Sequence, residues 1–220
     1  MNIYAVIDTN IIISSLLSRN PNASTKQIIA KIKERVITPM VNEDILEEYL
    51  DVLSRSKFSF SQDDIESTME LFSIRSVKYT PECLQHVFID MNDVIFYETY
   101  LMKEDAYLIT GNLRHFPAEV RIVSPNDMLQ IILLADKASG QILNEAAFEY
   151  ISEEKQAKIQ RAMEAMERMH ASAIANGIAD MSMEEIDEEI RLYREEKRLS
   201  LADDVQAVAE GKDYGLDAGV

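Results

Sequence analysis

Residues 3–8 read Ile-Tyr-Ala-Val-Ile-Asp, and this stretch is the first indication of the fold class. A short apolar run that ends at an acid is typical of a strand buried on both faces, whose end presents a carboxylate, here Asp8. Residues 10–17 have the apolar spacing of a helix, and residues 36–38 have the pattern of a second strand that ends before Pro39. A strand, a helix and a strand in this order predict a parallel sheet with helices packed against it.

The same alternation of strands and helices continues to about residue 138. Capping residues precede most of the predicted helices, and Ser24 with Gln27 has the pattern of a capping box. The further helices are predicted at residues 24–35, 42–55, 61–72, 92–102 and 126–134, and the further strands at residues 75–79, 106–109 and 120–123. The prediction is an α/β fold in three layers, with helices on both faces of a central parallel sheet of four to five strands.

The pattern changes after residue 138. Residues 152–176 and 182–199 predict two helices with no strand between them. Residues 201–220 contain three of the six glycines and few apolar residues, which predicts a disordered tail. We therefore divide the chain into an α/β domain at residues 1–138, a helical extension at residues 139–200 and a tail at residues 201–220.

The net charge of −17 narrows the classes of function. Residues 1–140 hold 20 acidic residues against 13 Lys and Arg, and residues 141–220 hold 19 against 9. Broad electrostatic binding of nucleic acid depends on basic residues that release counterions, so any such role must be local or assisted by a metal ion. The single cysteine, Cys83, forms no disulfide within the chain, and the sequence has the pattern of neither a signal peptide nor a membrane span. We expect a cytoplasmic protein.

Polar side chains lie at the ends of the predicted strands or next to them: Asp8, Asp93 and Asn112. In a parallel sheet these ends line one crevice, so we expect the side chains to converge. Converging carboxylates repel one another unless a divalent cation neutralises them, and oxygen ligands favour Mg²⁺ or Mn²⁺. Such an ion activates water for in-line displacement at phosphorus, which predicts nuclease chemistry without a Cys, Ser or His nucleophile.

Each of these residues also has a purely structural interpretation. Asp8 and Asp93 could cap the helices that follow them, and Asn112 could belong only to a turn. Glu47 and Glu48 flank the apolar stripe of one helix at similar angles, so helical geometry does not choose between them. No metal-ligand spacing relates the three histidines, which are His86, His115 and His170.

Five stretches, taken in order, resemble a PIN domain. They are AVIDTNI at 5–11, NEDILEEYLDVLSRSKF at 42–58, DMNDVIFYE at 90–98, LITGNLRHFP at 108–117 and VSPNDML at 123–129. The resemblance covers about residues 2–135 and is to the branch of PIN-family toxins of bacterial toxin–antitoxin modules (VapC-like). It implies a Mg²⁺- or Mn²⁺-dependent endoribonuclease that cleaves RNA by attack of water on phosphorus.

The same resemblance implies a role for each residue of the site. Asp8, Glu48 and Asp93 match the metal-ligating acids of the family, which selects Glu48 over Glu47. Asn112 falls where many PIN domains carry a fourth acid, so it would be a neutral catalytic ligand or hold a water molecule, and the lost charge disfavours tight binding of two metal ions. The residues implied to support the ligands are Thr9, Asn10, Asp90 and Thr110. The candidates for contact with RNA are Arg114 and His115, followed by Arg19, Lys26, Arg55 and Lys57.

Residues 176–198 resemble the C-terminal part of small antitoxins that wrap over their partner toxins. In the same chain as a toxin-like domain, this segment implies inhibition in cis, with Arg191 or Arg194 entering the carboxylate cleft. An equally weighted alternative is an arm for packing or for assembly of a homo-oligomer, to which we assign the apolar stripe of Met163, Met166 and Met169. A separate antitoxin acting in trans and a catalytically weak PIN-like scaffold stay open as alternatives.

Overall fold

The computed structural model describes residues 2–80, 93–139 and 152–209. Five strands, each parallel to its neighbours, form one sheet in the order β3-β2-β1-β4-β5. They are β1 (Ile3–Ile7), β2 (Ile37–Val41), β3 (Val77–Lys78), β4 (Tyr107–Ile109) and β5 (Ile122–Val123). The predicted α/β fold with a parallel sheet of four to five strands is confirmed.

Helices connect the strands and flank the sheet. Ala5, Val6 and Ile7 of the central strand β1 have no exposed surface, because helices and neighbouring strands cover them. This burial is what the uninterrupted apolar run of β1 predicts. The connecting helices are α1 (Thr9–Leu17), α2 (Ser24–Lys33), α3 (Glu43–Leu53), α4 (Gln62–Arg75), α5 (Val94–Leu101) and α6 (Pro125–Ser139).

Several local predictions are wrong: α4 and β3 differ from their predicted bounds, and the predictions for a proline and a helix cap also fail. Strand β2 runs through Pro39 to Val41, although the sequence predicts that it ends before the proline. The proline is tolerated because β3 pairs with β2 only at Met40 and Val41. Pro39 therefore has a paired strand, β1, on one side only, and its lack of an N–H group leaves no hydrogen bond to β3 unmade. The predicted cap at Ser24 is also wrong, because α2 begins at this residue and Ala23 takes the cap position.

Two helices form the C-terminal extension, α7 (Glu153–Ala175) and α8 (Met183–Ala209). Helix α7 packs mainly against α4 and also against α1, and α8 packs against α1 and α3. Met166 and Met169 are buried in this contact, and Thr68 Oγ1 lies 3.3 Å from the sulfur of Met169. The predicted methionine stripe therefore docks the extension onto the α/β domain. Gly177, at φ +71°, ends α7 and lets the chain turn towards α8.

Helix α8 continues to Ala209, nine residues into the segment predicted to be a disordered tail. Residues 201–209 contain three alanines and neither glycine nor proline, and this composition favours a helix. The glycines on which the prediction rested begin at Gly211, beyond the described residues. Neither this helix nor any other in the described ranges has the length and hydropathy needed to cross a membrane.

The order of the strands places a crevice beside β1. The chain adds β2 and β3 on one side of β1 and then β4 and β5 on the other, so the sheet has a switch point between β1 and β4. The main-chain nitrogen of Asp8 donates to the carbonyl of Ile109 (2.9 Å), and that of Thr110 donates to the carbonyl of Val123 (3.1 Å). Asp8 and Thr110, each the first residue after its strand, therefore face the same crevice.

Candidate active site

Asp8 lies in this crevice with 3% of its surface exposed. Thr110 Oγ1 donates a hydrogen bond to Asp8 Oδ2 (2.6 Å), and Asn10 Nδ2 donates to the same oxygen (3.1 Å). The other oxygen accepts from the main-chain nitrogen of Asn10 (3.3 Å), so Asp8 also caps α1. The residue therefore caps a helix, as its structural interpretation predicts, and at the same time holds its carboxylate in the crevice.

Helix α3 brings Glu48 to the same place, with 4% of its surface exposed. Thr9 Oγ1 donates to Glu48 Oε1 at 2.6 Å. Glu47, on the other flank of the apolar stripe, is exposed and lies 3.1 Å from the ammonium group of Lys197. Of the two glutamates, Glu48 is the one that faces the crevice.

Asp93 precedes α5 and is 2% exposed. Its side chain makes no capping bond to the helix, contrary to the capping interpretation, and its Oδ2 lies 3.1 Å from Nδ1 of His115. The amide nitrogen of Asn112 lies 2.8 Å from Nε2 of the same ring. An amide N–H can only donate, so Nε2 is the acceptor in this contact. The ring of His115 thus lies between Asn112 and Asp93.

Arg194 of α8 enters the crevice and is 7% exposed. Its Nε and Nη2 donate to the two oxygens of Glu48 (3.1 and 2.9 Å), and its Nη1 donates to Asp93 Oδ1 (2.8 Å). Burial lowers the pKa of a guanidinium, but the carboxylates of Glu48 and Asp93 outweigh burial, so the pKa of Arg194 is raised above its ordinary value. The predicted arginine therefore stands, fully charged, between two of the predicted metal ligands.

Asp187 also reaches the crevice from α8, although the sequence analysis did not single it out. Its Oδ1 accepts from Asn10 Nδ2 (3.0 Å), and its Oδ2 accepts from Asn112 Nδ2 (3.1 Å). Burial raises the pKa of Asp187, while the hydrogen bond from Asn10 opposes that shift. Asp187 precedes Arg194 by seven residues, which places both on one face of the helix, and this spacing was the signal available in the sequence.

Burial in the crevice and repulsion by a neighbouring acid raise the pKa of Asp8 from 3.8 to about 7. Burial is the largest cause and repulsion by Asp93 is the second, while Arg194 and the hydrogen bond from Thr110 act in the opposite direction. A carboxyl whose pKa is shifted by burial and by specific charged neighbours is characteristic of a functional site.

Buried carboxylate oxygens are suitable ligands for Mg²⁺ or Mn²⁺. As the described part of the chain is arranged, however, no group of three or more His, Cys, Asp and Glu side chains could hold a metal ion. The guanidinium of Arg194 takes both oxygens of Glu48 and one oxygen of Asp93. The donor set is therefore chemically suited to a divalent cation, and Arg194 occupies the oxygens that the cation would need.

A cavity of about 290 Å³ remains between the crevice and α8. Arg114 and His115, the first candidates for contact with RNA, line it. Arg191 lines it too, but its guanidinium pairs with Glu188 and Glu195 on its own helix (2.6 Å each). Of the two arginines predicted to enter the cleft, only Arg194 contacts the predicted ligands.

Acidic residues of the extension pair with weaker candidates for contact with RNA. Arg55 bonds Glu196 (2.8 Å) and Glu189 (3.4 Å) of α8, and Arg19 lies 3.4 Å from Asp180. Lys57 lies 4.0 Å from Glu189, and Lys26 lines a separate pocket beside α7. Asp90, predicted to support the metal ligands, lies outside the described residues. The extension thus covers several cations of the α/β domain as well as its carboxylates.

Comparison with known protein families agrees with this geometry. The family profile that matches the chain is that of the PIN domain, over residues 4–114. The chain belongs to the PIN domain family. The matched residues contain Asp8, Glu48, Asp93 and Asn112, and membership indicates a nuclease-type function with a nucleic acid as substrate. No curated protein and no solved structure matches the chain.

Proposed function

We propose that this PIN-domain protein is a Mg²⁺- or Mn²⁺-dependent endoribonuclease of the toxin type, held inactive in cis by its own helix α8. In this proposal Asp8, Glu48 and Asp93 are the metal ligands, and residues 139–200 act as the antitoxin-like part of the same chain. Family membership supports hydrolysis of phosphodiester bonds. The metal ion, the RNA substrate and the toxin–antitoxin role are the steps that we add.

One observation carries the proposal: a single guanidinium forms ion pairs with both Glu48 and Asp93, which are 4% and 2% exposed. Buried carboxylates are costly unless a cation or a hydrogen-bond network compensates them. Here the carboxylates belong to the α/β domain, and the cation that compensates them belongs to a separate helical segment. This arrangement is suited to exchanging the guanidinium for another cation. A divalent metal ion is the exchange that the oxygen donors favour.

The side chains of the crevice have separable tasks in this mechanism. A bound Mg²⁺ or Mn²⁺ would polarise a phosphoryl oxygen and lower the pKa of an attacking water. Thr9 fixes the orientation of Glu48, and Thr110 and Asn10 fix that of Asp8. His115 Nδ1 lies 3.1 Å from the Asp93 oxygen that Nη1 of Arg194 does not contact, so the ring is placed to keep a neighbour beside Asp93 when the arginine leaves.

Two features favour a second candidate function, a catalytically weak PIN scaffold. Asn112 stands where many PIN domains carry an acid, which removes one charge from the site. Arg194 fills the crevice in the folded chain, and α7 and α8 are docked through a large apolar contact. Under this alternative the extension is a permanent part of the domain or an arm for assembly of a homo-oligomer.

Cleavage of RNA by full-length variants tests the proposal. Charge-assisted hydrogen bonds contribute about 1.5–3 kcal/mol each, so Arg194→Ala should raise Mn²⁺-dependent cleavage by about tenfold or more over the wild type. Arg191→Ala is the matched control, because it removes the same charge from α8 without touching Glu48 or Asp93. The double variant Asp8→Asn, Arg194→Ala should be inactive. Equal, metal-independent background in all four proteins would favour the scaffold.

A further inference from the structure

The carboxylate of Asp187 lies between two side-chain amides of the PIN domain. Asn10 Nδ2 donates to one of its oxygens at 3.0 Å, and Asn112 Nδ2 donates to the other at 3.1 Å. The donors come from residues that follow β1 and β4, so the sheet fixes their separation. We refer to Asn10 and Asn112 together as the amide pair.

The amide pair is built to hold an anion at a fixed position. Asn10 is 2% exposed, and its carbonyl oxygen accepts a hydrogen bond from the main-chain nitrogen of Gly111 (3.1 Å), which sets the direction of its N–H groups. The Asn112 amide also bonds the ring of His115 (2.8 Å). Both donors are thereby oriented before any anion arrives, and oriented amide donors bind carboxylate and phosphate oxygens alike.

The identity of residue 112 fits this use. An aspartate at this position would place a second carboxylate about 3 Å from that of Asp187, where like charges repel strongly. An asparagine provides a donor at the same point. The departure from the acid that many PIN domains carry here is therefore matched to the presence of Asp187 on α8.

The surroundings of the amide pair suit an anion of the size of a phosphate group. The cavity of about 290 Å³ adjoins it, and its lining holds both cationic and acidic side chains: Arg114, Arg191 and Arg194, and Asp8, Asp93, Glu184, Asp187 and Glu188. Three of these acids, Glu184, Asp187 and Glu188, belong to α8, so displacement of that helix removes them, whereas Arg114 belongs to the α/β domain. The same cavity leads directly to Asp8 and Asp93.

We propose that the amide pair is a phosphate-binding subsite for the RNA backbone, and that Asp187 occupies it as a carboxylate mimic of that phosphate. This inference rests on the proposed ribonuclease function and specifies how the substrate is held. Helix α8 then presents two mimics on one face, seven residues apart: Asp187 in place of a backbone phosphate and Arg194 in place of the metal ion. RNA and α8 exclude one another because both need the amide pair.

The test is nuclear magnetic resonance of the full-length protein, read at the side-chain amide signals of Asn10 and Asn112. The probes are inorganic phosphate and dimethyl phosphate, added at constant ionic strength against sodium chloride. The variant is Asp187→Ala, which empties the amide pair and leaves Arg194 in place. Asp187→Asn keeps the shape of the side chain and removes its charge. The matched control is Glu185→Gln, which removes the charge of an exposed acid of α8 that does not line this cavity and keeps an acceptor for the main-chain nitrogen of Ser182.

We expect both probes to shift both amide signals saturably in Asp187→Ala, with an affinity about tenfold or more above that of the wild type, equivalent to about 1.4 kcal/mol. The affinity of Asp187→Asn should fall between those of the wild type and Asp187→Ala, and Glu185→Gln should behave as the wild type. Adding Asn112→Asp to Asp187→Ala should abolish the shift of the Asn10 amide signal, which is the reporter that remains in this variant.

Equal affinities in the wild type and in both Asp187 variants would overturn the inference. Binding of inorganic phosphate without dimethyl phosphate would also overturn it, since an RNA backbone offers only diesters. Failure of the proposed function has a different signature. In that case dimethyl phosphate binds the amide pair of Asp187→Ala, but Arg194→Ala cleaves no RNA with Mn²⁺.

Discussion

Arg194 and Glu48, 146 residues apart in the chain, form a two-point contact in which Nε and Nη2 of the guanidinium donate to the two oxygens of one carboxylate. Both side chains are buried, and Nη1 of the same arginine reaches Asp93. This geometry uses the planar donor set of arginine, which lysine does not have. These buried ion pairs connect helix α8 directly to the carboxylates in the crevice of the PIN domain.

The first prediction concerns stability in the absence of divalent metal. Arg194→Ala leaves two buried carboxylates without their cation, and breaking a buried ion pair in this way costs about 3–5 kcal/mol. We expect a loss of this size in the free energy of unfolding, measured by urea denaturation in the presence of a chelator. The exposed pairs of Arg191 predict a loss of about 1 kcal/mol or less for Arg191→Ala. Similar losses in the two variants would show that the buried contact has no special weight.

The second prediction follows from the raised pKa of Asp8. A carboxyl whose pKa is about 7 in the folded protein and 3.8 in the unfolded chain binds a proton on folding between these values. Its contribution to stability is complete below about pH 4 and is lost as the pH rises to about 7, by an amount on the order of 4 kcal/mol.

Comparison with Asp8→Asn isolates this effect. We expect the free energy of unfolding of the wild type, relative to that of Asp8→Asn, to fall as the pH rises from about 4 to about 7 and to stay level above that range. Asp44→Asn, at an exposed acid of α3, serves as the charge-matched control. A constant difference between the wild type and Asp8→Asn from pH 4 to pH 8 would mean that the pKa of Asp8 is not raised.

The third prediction concerns the close approach of Gly111 and Met183. A Cβ atom at position 111 would lie 2.5 Å from the sulfur of Met183, so the methionine at the start of α8 must move if the glycine is replaced. Overpacking of this kind costs about 1–3 kcal/mol. We expect Gly111→Ala to lower the free energy of unfolding by an amount at the lower end of this range, because a methionine side chain is flexible.

A double-mutant cycle separates this clash from other effects of the substitution. Met183→Ala removes the obstructing atoms, so Gly111→Ala should cost little when it is introduced into that background. If the losses in the free energy of unfolding add up in the double variant, the cost of Gly111→Ala does not come from the contact with Met183.

The parts of this structure that the sequence predicted are those that depend on local pattern. The apolar run of β1 and the acid after it predicted a buried strand that ends at a site, and the apolar stripe that Glu47 and Glu48 flank predicted α3. Pro39 was placed outside β2 because its tolerance depends on where β3 stops pairing, which is a tertiary feature. Asp187 was missed because its partners lie 177 and 75 residues away, and it stands in an acidic helix typical of a solvated face.

Calorimetric titration of the full-length protein with Mn²⁺ at pH 8 tests the central claim, that the guanidinium of Arg194 and a divalent metal ion compete for the same carboxylates. At this pH the Asp8 carboxyl, with its pKa of about 7, is mainly ionised. We predict that Arg194→Ala binds Mn²⁺ about tenfold or more tightly than the wild type, that Arg191→Ala does not differ from the wild type, and that adding Asp8→Asn to Arg194→Ala removes the binding. Equal Mn²⁺ affinity in the wild type and in Arg194→Ala would contradict the account.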